Sequence, residues 1–436
     1  MQKKKDTIFA LATPRGKSAL ATIRISGPEA FNVVKKISSN MPKKPNTSAV
    51  NNIFSNKKLI IDKTITTYFK KPKSYTGEDM VEISTHGSHA VIKKVVETLN
   101  QNKKIRFAEA GEFTRRAFEN NKLDLTQVEA VADIVNSETE SQRKQAQRQL
   151  DGELSKKTNT ISEKILKVLA NIEAIIDFSD EDLPEDVYTK SKEQIENICN
   201  DLIPLVVGSE YGEKIRTGFL VTIIGKTNTG KSSFINKISQ RDISIVTDEP
   251  GTTRDIIESS IDFKGVLIKF YDTAGLRPSK NKAENIGIKK AVTMANKSDL
   301  NLVFLNKKNE IHQYKKIMNP IFVISKSDLI NKNTKKYKEI NYISSHKGTG
   351  IQALLRKIYK KLSIEEIEED FFVSRERHKN LLKNTLKFLE FSKNKKNIDV
   401  FAEDLRSAFN EISKITGKKD VEDILDIIFN DFCIGK

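Results

Sequence analysis

Cysteine is scarce in this chain: Cys199 and Cys433 are the only two among 436 residues, and they stand far apart. So sparse a pattern supports no disulfide framework, and a reducing, cytoplasmic compartment is expected. Long apolar runs are also missing. No stretch approaches the ~18 residues of a membrane span. The opening MQKKKDTIFALATP joins basic residues to a short apolar stretch with no convincing cleavage site. These gaps point to a soluble protein with no membrane partner. His86 and His89 lack partners at metal-ligand spacing and read as structural or pocket-lining. Acidic residues are the minority, 58 against 75 basic ones, for a net charge of +17. That excess suits a phosphate-bearing partner such as RNA, or an anionic cofactor tail. A genome biased to lysine, asparagine and isoleucine would produce the same excess, so charge alone does not decide. With 37% hydrophobic and 31% charged residues, a chain of this length holds two to four domains with ample core.

What is present is a phosphate-binding loop. Residues 225–232 read GKTNTGKS after an apolar run at 219–224. A buried strand would deliver the chain to a tight turn, and Gly225 and Gly230 would let the backbone wrap an anion. A helix starting near Lys231 then points its N–H groups at the phosphates, Lys231 reaches the outer ones, and the Ser232 hydroxyl ligates Mg²⁺. Three more apolar segments, 266–271, 321–324 and 341–343, end in Asp272-Thr273-Ala274-Gly275, in Ser325-Lys326-Ser327-Asp328 and in Ser344-Ser345. Ligand groups in α/β nucleotide folds sit at the carboxyl ends of parallel strands. Four such ends in GTPase order predict a Ras-like P-loop domain. In it, Asp272 holds the metal through water, Gly275 senses the γ-phosphate and Asp328 pairs with guanine N1 and N2.

Around this unit the periodicity changes. Residues 19–25, 65–69 and 80–84 read as strands, 88–100 as a helix, and 41–56, rich in Pro, Asn and Ser, as a loop. Leu150, Leu154, Ile161, Ile165, Val168, Ile172 and Ile175 form one seam of a long helix, which an acidic turn at 177–186 ends. Helical periodicity returns at Leu405, Phe409 and Ile412, and again from Val421 to Phe429. The expected architecture is multidomain, α/β plus all-α: an N-terminal α+β domain (1–120), a discontinuous helical bundle (121–213 and 364–436), and an inserted GTPase domain (214–363).

Leu276 stands where Ras-like enzymes carry a water-orienting Gln, so that role must come from elsewhere. The Asn228 amide oxygen could help hold a monovalent cation beside the β- and γ-phosphates, or it could simply stabilise a turn. Switch I, residues 244–255, offers carbonyls to complete such a cage, and Thr253 could cap Mg²⁺.

Seven segments carry a closer resemblance: TPRGKSALATIRISGP (13–28), YTGEDMVEISTHGSH (75–89), AGEFTRRAFENNKLDLTQVEAV (110–131), GTTRD (251–255), DTAGLR (272–277), ENIGI (284–288) and FCIGK (432–436). With the phosphate loop, they make the whole chain resemble the MnmE (TrmE) family of tRNA-modifying GTPases. The short GTPase motifs are shared with Era- and Der-like proteins, whereas the N-terminal segments and FCIGK are specific to this family.

The resemblance implies a homodimer whose N-terminal domain binds 5,10-methylene- or 5-formyl-tetrahydrofolate at Arg24, Glu82, Lys122 and Lys436. Glu82 suits a pterin amide edge, and Arg24 and the lysines suit a glutamate tail. Without the family, Arg24 would read as a solvated strand residue. The resemblance also implies GTP contacts at Asn228, Thr229, Gly230, Lys231, Ser232, Ser233, Thr247, Thr252, Thr253, Asp272, Thr273, Ala274, Gly275, Ser325, Lys326 and Asp328. Mg²⁺ falls at Ser232 and Thr253, and K⁺ at Asn228, Thr247, Glu249 and Thr252. Catalysis falls to Lys231, Asn228 and Glu284, the last orienting water. On its own, Glu284 would read as a surface carboxylate at a helix start. The implied reaction adds a carboxymethylaminomethyl or aminomethyl group at C5 of the wobble uridine (U34) of certain tRNAs, with the FAD-containing partner MnmG (GidA) in a heterotetramer.

The sequence departs from the family in places. SKSD replaces the usual NKxD, and Ser325 is expected to fall short of the base and the phosphate loop. Thr227 replaces a usual Pro, and the stretch between Asp272 and Asp328 looks trimmed. Cys433 reads as a nucleophile or, preferably, a small buried side chain. The alternatives are an Era/Der-like ribosome-assembly GTPase, which would need an RNA-binding module such as a KH domain, and a folate-dependent aminomethyltransferase with an incidental nucleotide domain.

Overall fold

A computed structural model of the chain describes residues 6–177, 187–239, 244–245, 259–272, 294–314, 316–330, 337–362, 373–395 and 397–418, with 425, 428, 429, 432 and 435. The chain falls into two units. One comprises Met1–Ala132, Gln149–Ile198 and Lys387–Lys436, the other Asp133–Arg148 and Cys199–Leu386.

The first unit opens with β1 (Thr7–Leu11), β2 (Ser18–Ser26), α1 (Ala30–Ile37), β3 (Thr47–Phe54), β4 (Ile60–Phe69), β5 (Met80–Gly87), α2 (His89–Asn100), β6 (Ile105–Phe107) and α3 (Glu112–Glu119). The strands form one sheet in the order β3-β4-β5-β2-β1-β6, with β1 and β6 parallel and the other neighbours antiparallel. Alternation in β2 buries Ile23 and Ile25 beside Val33 and Val34 of α1 and Val95 and Leu99 of α2. Ser88 caps α2 by accepting from the Val91 N–H. The segment expected to be a loop, 41–56, contains β3. Its polar residues hide a strand because they pair across β4: Val50 faces Ile65, and Thr64 Oγ1 donates to Asn51 Oδ1 at 3.0 Å. Cross-strand partners, rather than local propensity, make this strand.

Four helices follow: α4 (Leu125–Val135), α5 (Glu140–Leu150), α6 (Glu153–Asp177) and α7 (Val187–Thr217). The seam expected from Leu150 onward belongs to two helices. Gly152 adopts φ +82 between them, a conformation that ends α5 at Leu150 and lets α6 start afresh. From Leu154 to Ile172 the seam is buried as expected.

The second unit holds β7 (Phe219–Gly225), α8 (Lys231–Ser239), β8 (Ser244–Ile245), β9 (Ser259–Phe263), β10 (Val266–Asp272), β11 (Leu300–Leu305), β12 (Pro320–Ile324), β13 (Ile340–Tyr342) and α9 (Ile351–Lys361). Its sheet runs β13-β12-β11-β7-β10-β9-β8, parallel from β13 to β10 and antiparallel beyond. The four expected strands are all present and parallel. Unforeseen is β11, whose six residues are all buried between β7 and β12. In place of a long crossover, a 3-10 helix (Lys308–Tyr314) connects β11 towards β12.

Two further helices, α10 (Glu376–Lys393) and α11 (Ile398–Ile415), complete the described elements. In the first unit, α11 buries Leu405, Ala408 and Ile412. The acidic turn at 177–186 lies outside the described residues except for Asp177, as does most of the segment from Val421 to Phe429. No helix among the described residues is long and apolar enough to cross a membrane.

Candidate nucleotide site and a second candidate site

The phosphate loop follows from the register of β7. Gly225 ends that strand beside Phe304 of β11, where a Cβ would lie 2.5 Å from the Phe304 carbonyl oxygen, so only glycine fits. Asn228 takes φ 59, a left-handed conformation that asparagine tolerates, and Gly230 takes φ +90. Helix α8 then begins at Lys231, with its first-turn N–H groups directed at the loop. Lys231 is 5% exposed, and its Nζ donates to the carbonyls of Gly225 (2.8 Å) and Lys226 (2.7 Å). The ammonium is thus held at the centre of the loop. Thr229 Oγ donates to the Lys226 carbonyl at 2.8 Å, while Ser232 and Ser233 are exposed. Asp272 is the last residue of β10, 2% exposed and in register with Ile223 of β7. That places a buried carboxylate one strand away from the loop. An exposed serine hydroxyl on the first turn and a carboxylate at the neighbouring strand end fit Mg²⁺, which takes few protein ligands and leaves the rest to phosphate and water.

The carboxyl ends of β12 and β13 build the other half of the cleft. Ser325, expected to fall short of the phosphate loop, reaches it: its Oγ donates to the Thr229 carbonyl at 2.5 Å. Gly230 permits this approach, since a Cβ there would sit 2.2 Å from Ser325 Oγ. Lys326, at φ 56, donates from Nζ to the Asn228 carbonyl at 3.2 Å. Two successive residues therefore tie β12 to two successive loop carbonyls. Asp328 sits on a short 3-10 turn, Ser327–Leu329. A hydrogen bond from Ser344, then one from its own backbone N–H, holds its carboxyl below the usual range, so it is an acceptor at neutral pH. The resulting cleft has a volume of about 770 Å³, with Gly230, Ser325, Asp328, Leu329 and Ser344 in its wall. That size suits a nucleotide. Leu329, 78% exposed, offers apolar surface beside Asp328 to the face of a base.

Within the first unit, Arg24 and Glu82 face each other across β2 and β5. Both Nε and Nη2 of Arg24 lie 2.9 Å from Glu82 Oε1. The guanidinium also stacks over the rings of Tyr75 (5.2 Å) and Phe113 (5.7 Å), and its Nη1 donates to the Gly435 carbonyl at 3.5 Å. Gly435 lies so close to Leu11 and Ala12 that a Cβ would meet the Leu11 carbonyl oxygen at 2.3 Å. Gly435 is thereby seated against the end of β1, beside the strand that carries Arg24. Lys122 donates to the Pro72 carbonyl at 3.2 Å, on the loop that also carries Tyr75. A largely buried ion pair flanked by aromatic rings, with a lysine bonded to the adjoining loop, fits a flat polar ring with an anionic tail.

Residues 7–122 match the family model described as the GTP-binding protein TrmE N-terminus, and residues 125–433 match the MnmE helical domain. Proteins named tRNA modification GTPase MnmE are similar along their full length. The one from Roseobacter denitrificans is 39% identical over 436 residues, covering 99% of this chain and 100% of the relative. Those from Pelagibacter ubique (41% over 442 residues) and Aquifex aeolicus (38% over 448) are covered to the same extent. The chain belongs to the MnmE family. Like the family, it is a GTP hydrolase.

Several residues that the MnmE resemblance singles out lie outside the described residues: Thr247, Glu249, Thr252, Thr253, Thr273, Ala274, Gly275, Glu284, Cys433 and Lys436. Sequence reasoning overlooked others. Lys226 Nζ meets Glu310 Oε1 at 2.8 Å, and Glu310 Oε2 accepts the Asn306 N–H, joining the phosphate loop to the end of β11. Nothing in the sequence connects two residues so far apart. Tyr75 and Phe113, by contrast, stand inside quoted family segments and could have been read with Arg24.

Proposed function

We propose that the protein is a K⁺-stimulated, homodimeric MnmE-type enzyme that couples GTP hydrolysis to modification of tRNA at C5 of the wobble uridine. It would act in the cytoplasm with an FAD-containing MnmG (GidA) partner in a heterotetramer. The observation that carries this reading is that four parallel strands of one sheet each end in a candidate ligand element: the phosphate loop after β7, Asp272 on β10, Ser325 to Asp328 after β12 and Ser344 after β13, with residues of the first, third and fourth lining one cleft. The proposed domain limits are 1–120, 121–213 with 364–436, and an inserted 214–363.

In this reading Lys231 and the first turn of α8 hold the β- and γ-phosphates, and Asp328 accepts from guanine N1 and N2. Ser232 and Thr253 ligate Mg²⁺, which when bound neutralises charge developing on those phosphates. Asn228, Thr247, Glu249 and Thr252 hold K⁺, and Glu284 orients the attacking water. Arg24, Glu82, Lys122 and Lys436 hold the tetrahydrofolate that donates the carbon unit. An apolar face supports homodimerisation: Leu20, Val50, Leu59, Ile60 and Ile65 are all at least half exposed on the first unit's sheet and its β3–β4 turn, while Thr64 and Thr66 of the same strand are buried. An exposed apolar surface of this kind is characteristic of an interface.

GTP turnover is expected to be severalfold faster in KCl than in NaCl, and Asn228→Ala is expected to remove the difference. Equal rates in the two salts would end the cation-dependent mechanism. Asp328→Ala should weaken GDP binding about thirtyfold, the worth of a charge-assisted pair of hydrogen bonds. Titration with a fluorescent GDP analogue measures it, and unchanged affinity would remove Asp328 from the base site. Wobble-uridine analysis of a deletion strain tests the tRNA reaction, and normal modified nucleosides would exclude it.

A further inference from the structure

Guanine presents two acceptors, N7 and O6, on the edge away from its N1 and N2 groups, and each needs a donor to be read. Ser325 and Lys326, at the end of β12, line the cleft beside Asp328. A serine hydroxyl carries one proton. Here that proton is directed to the Thr229 carbonyl at 2.5 Å, an intramolecular bond that keeps β12 on the phosphate loop. The next residue, Lys326, directs its ammonium to the Asn228 carbonyl. Ser345 lines the same cleft, but its Oγ is shielded from solvent, so a base lying in the cleft does not touch it. An asparagine at position 325 would have carried two amide protons, enough to serve the loop and the base together.

We infer that this enzyme recognises its nucleotide without reading N7: Ser325 is a positioning residue that tethers the phosphate loop, and selectivity for guanine rests on the N1/N2 edge facing Asp328. The inference depends on the proposed placement of the base against Asp328. Its consequence is tolerance of guanine nucleotides altered at position 7.

Equilibrium binding of GDP and 7-deaza-GDP to the full-length wild-type protein and to Ser325→Ala tests this. In 7-deaza-GDP the N7 acceptor is replaced by a C–H. The wild type is expected to bind the two ligands within about threefold, or the deaza ligand more tightly, since no hydrogen bond to N7 exists to be lost. Ser325→Ala is expected to weaken both ligands by the same factor, because the loop tether serves both. A wild-type preference for GDP beyond threefold that vanishes in Ser325→Ala would overturn the inference by making Ser325 the N7 donor. A preference that persists in the variant would overturn it equally, by revealing another donor. Failure of both ligands to bind would instead overturn the guanine site at Asp328, and the inference with it.

Discussion

Lys231→Ala is expected to lower GTP turnover by at least about a hundredfold, the usual cost of removing one preorganised group from a site of developing charge. The structure explains why the effect should be catalytic rather than structural. The Lys231 ammonium is held by the Gly225 and Lys226 carbonyls, which belong to the loop itself. Its removal leaves β7 and α8 with their own hydrogen bonds and core contacts, including Phe234 and Ile235 in the apolar cluster. Unfolding midpoints should therefore move little while turnover collapses. Lys231→Arg should not restore activity, because a planar guanidinium cannot occupy a point held by two carbonyls 2.8 and 2.7 Å away. Phosphate release under saturating GTP measures the loss. Turnover within tenfold of wild type would mean that this lysine is not the phosphate-binding residue.

The sequence reveals those parts of the nucleotide site where chemistry restricts residue type. A glycine wedged against the Phe304 carbonyl, a lysine on the loop and an aspartate at a strand end have few substitutes, so Gly225, Lys231 and Asp272 could be located by motif. Strand β11 has no such marker. It contributes only buried side chains, and five apolar residues around Asn301, without a ligand at their end, have no period that separates strand from helix. Strand β3 was hidden for the opposite reason, because its Asn and Ser residues find partners only across the sheet. The Ser325 tether illustrates a third kind of limit. Its reach depends on how closely β12 approaches Gly230, and that distance is set by the packing of β7, β11 and β12 together rather than by the length of the side chain.

Arg116→Met is expected to destabilise the first unit by about 3–5 kcal/mol, the penalty of removing one partner from a buried ionic network. Arg116 is 7% exposed and bonds three acidic residues: Glu78 (3.0 Å), Glu112 (2.9 Å) and Asp6 (2.8 Å). Arg106 bonds Glu112 and Asp6 from the other side. Burial pulls the Glu112 carboxyl upwards, but hydrogen bonds from Arg106, the Glu109 N–H and Arg116 outweigh it and hold the group below its ordinary 4.5. Asp6 is likewise held below 3.8 against its burial, chiefly by Arg106, and being nearly half exposed its share of the stabilisation is screened by solvent. Both groups are therefore depressed in the fold. Their stabilisation is complete above those ordinary values and drains away as pH falls through the lower folded ones. Wild-type stability should thus be flat from about pH 5 to 8 with respect to this network. Without Arg116, Glu78, which is 8% exposed, keeps Ser26 as a donor but loses its cation. Glu78→Gln added to Arg116→Met should recover part of the loss at neutral pH by removing the orphaned charge. Hydrogen exchange of the β2 and β5 amides reads this unit separately from the rest of the chain. Protection in Arg116→Met within threefold of wild type at pH 7.5 would show that the network does not hold the sheet together.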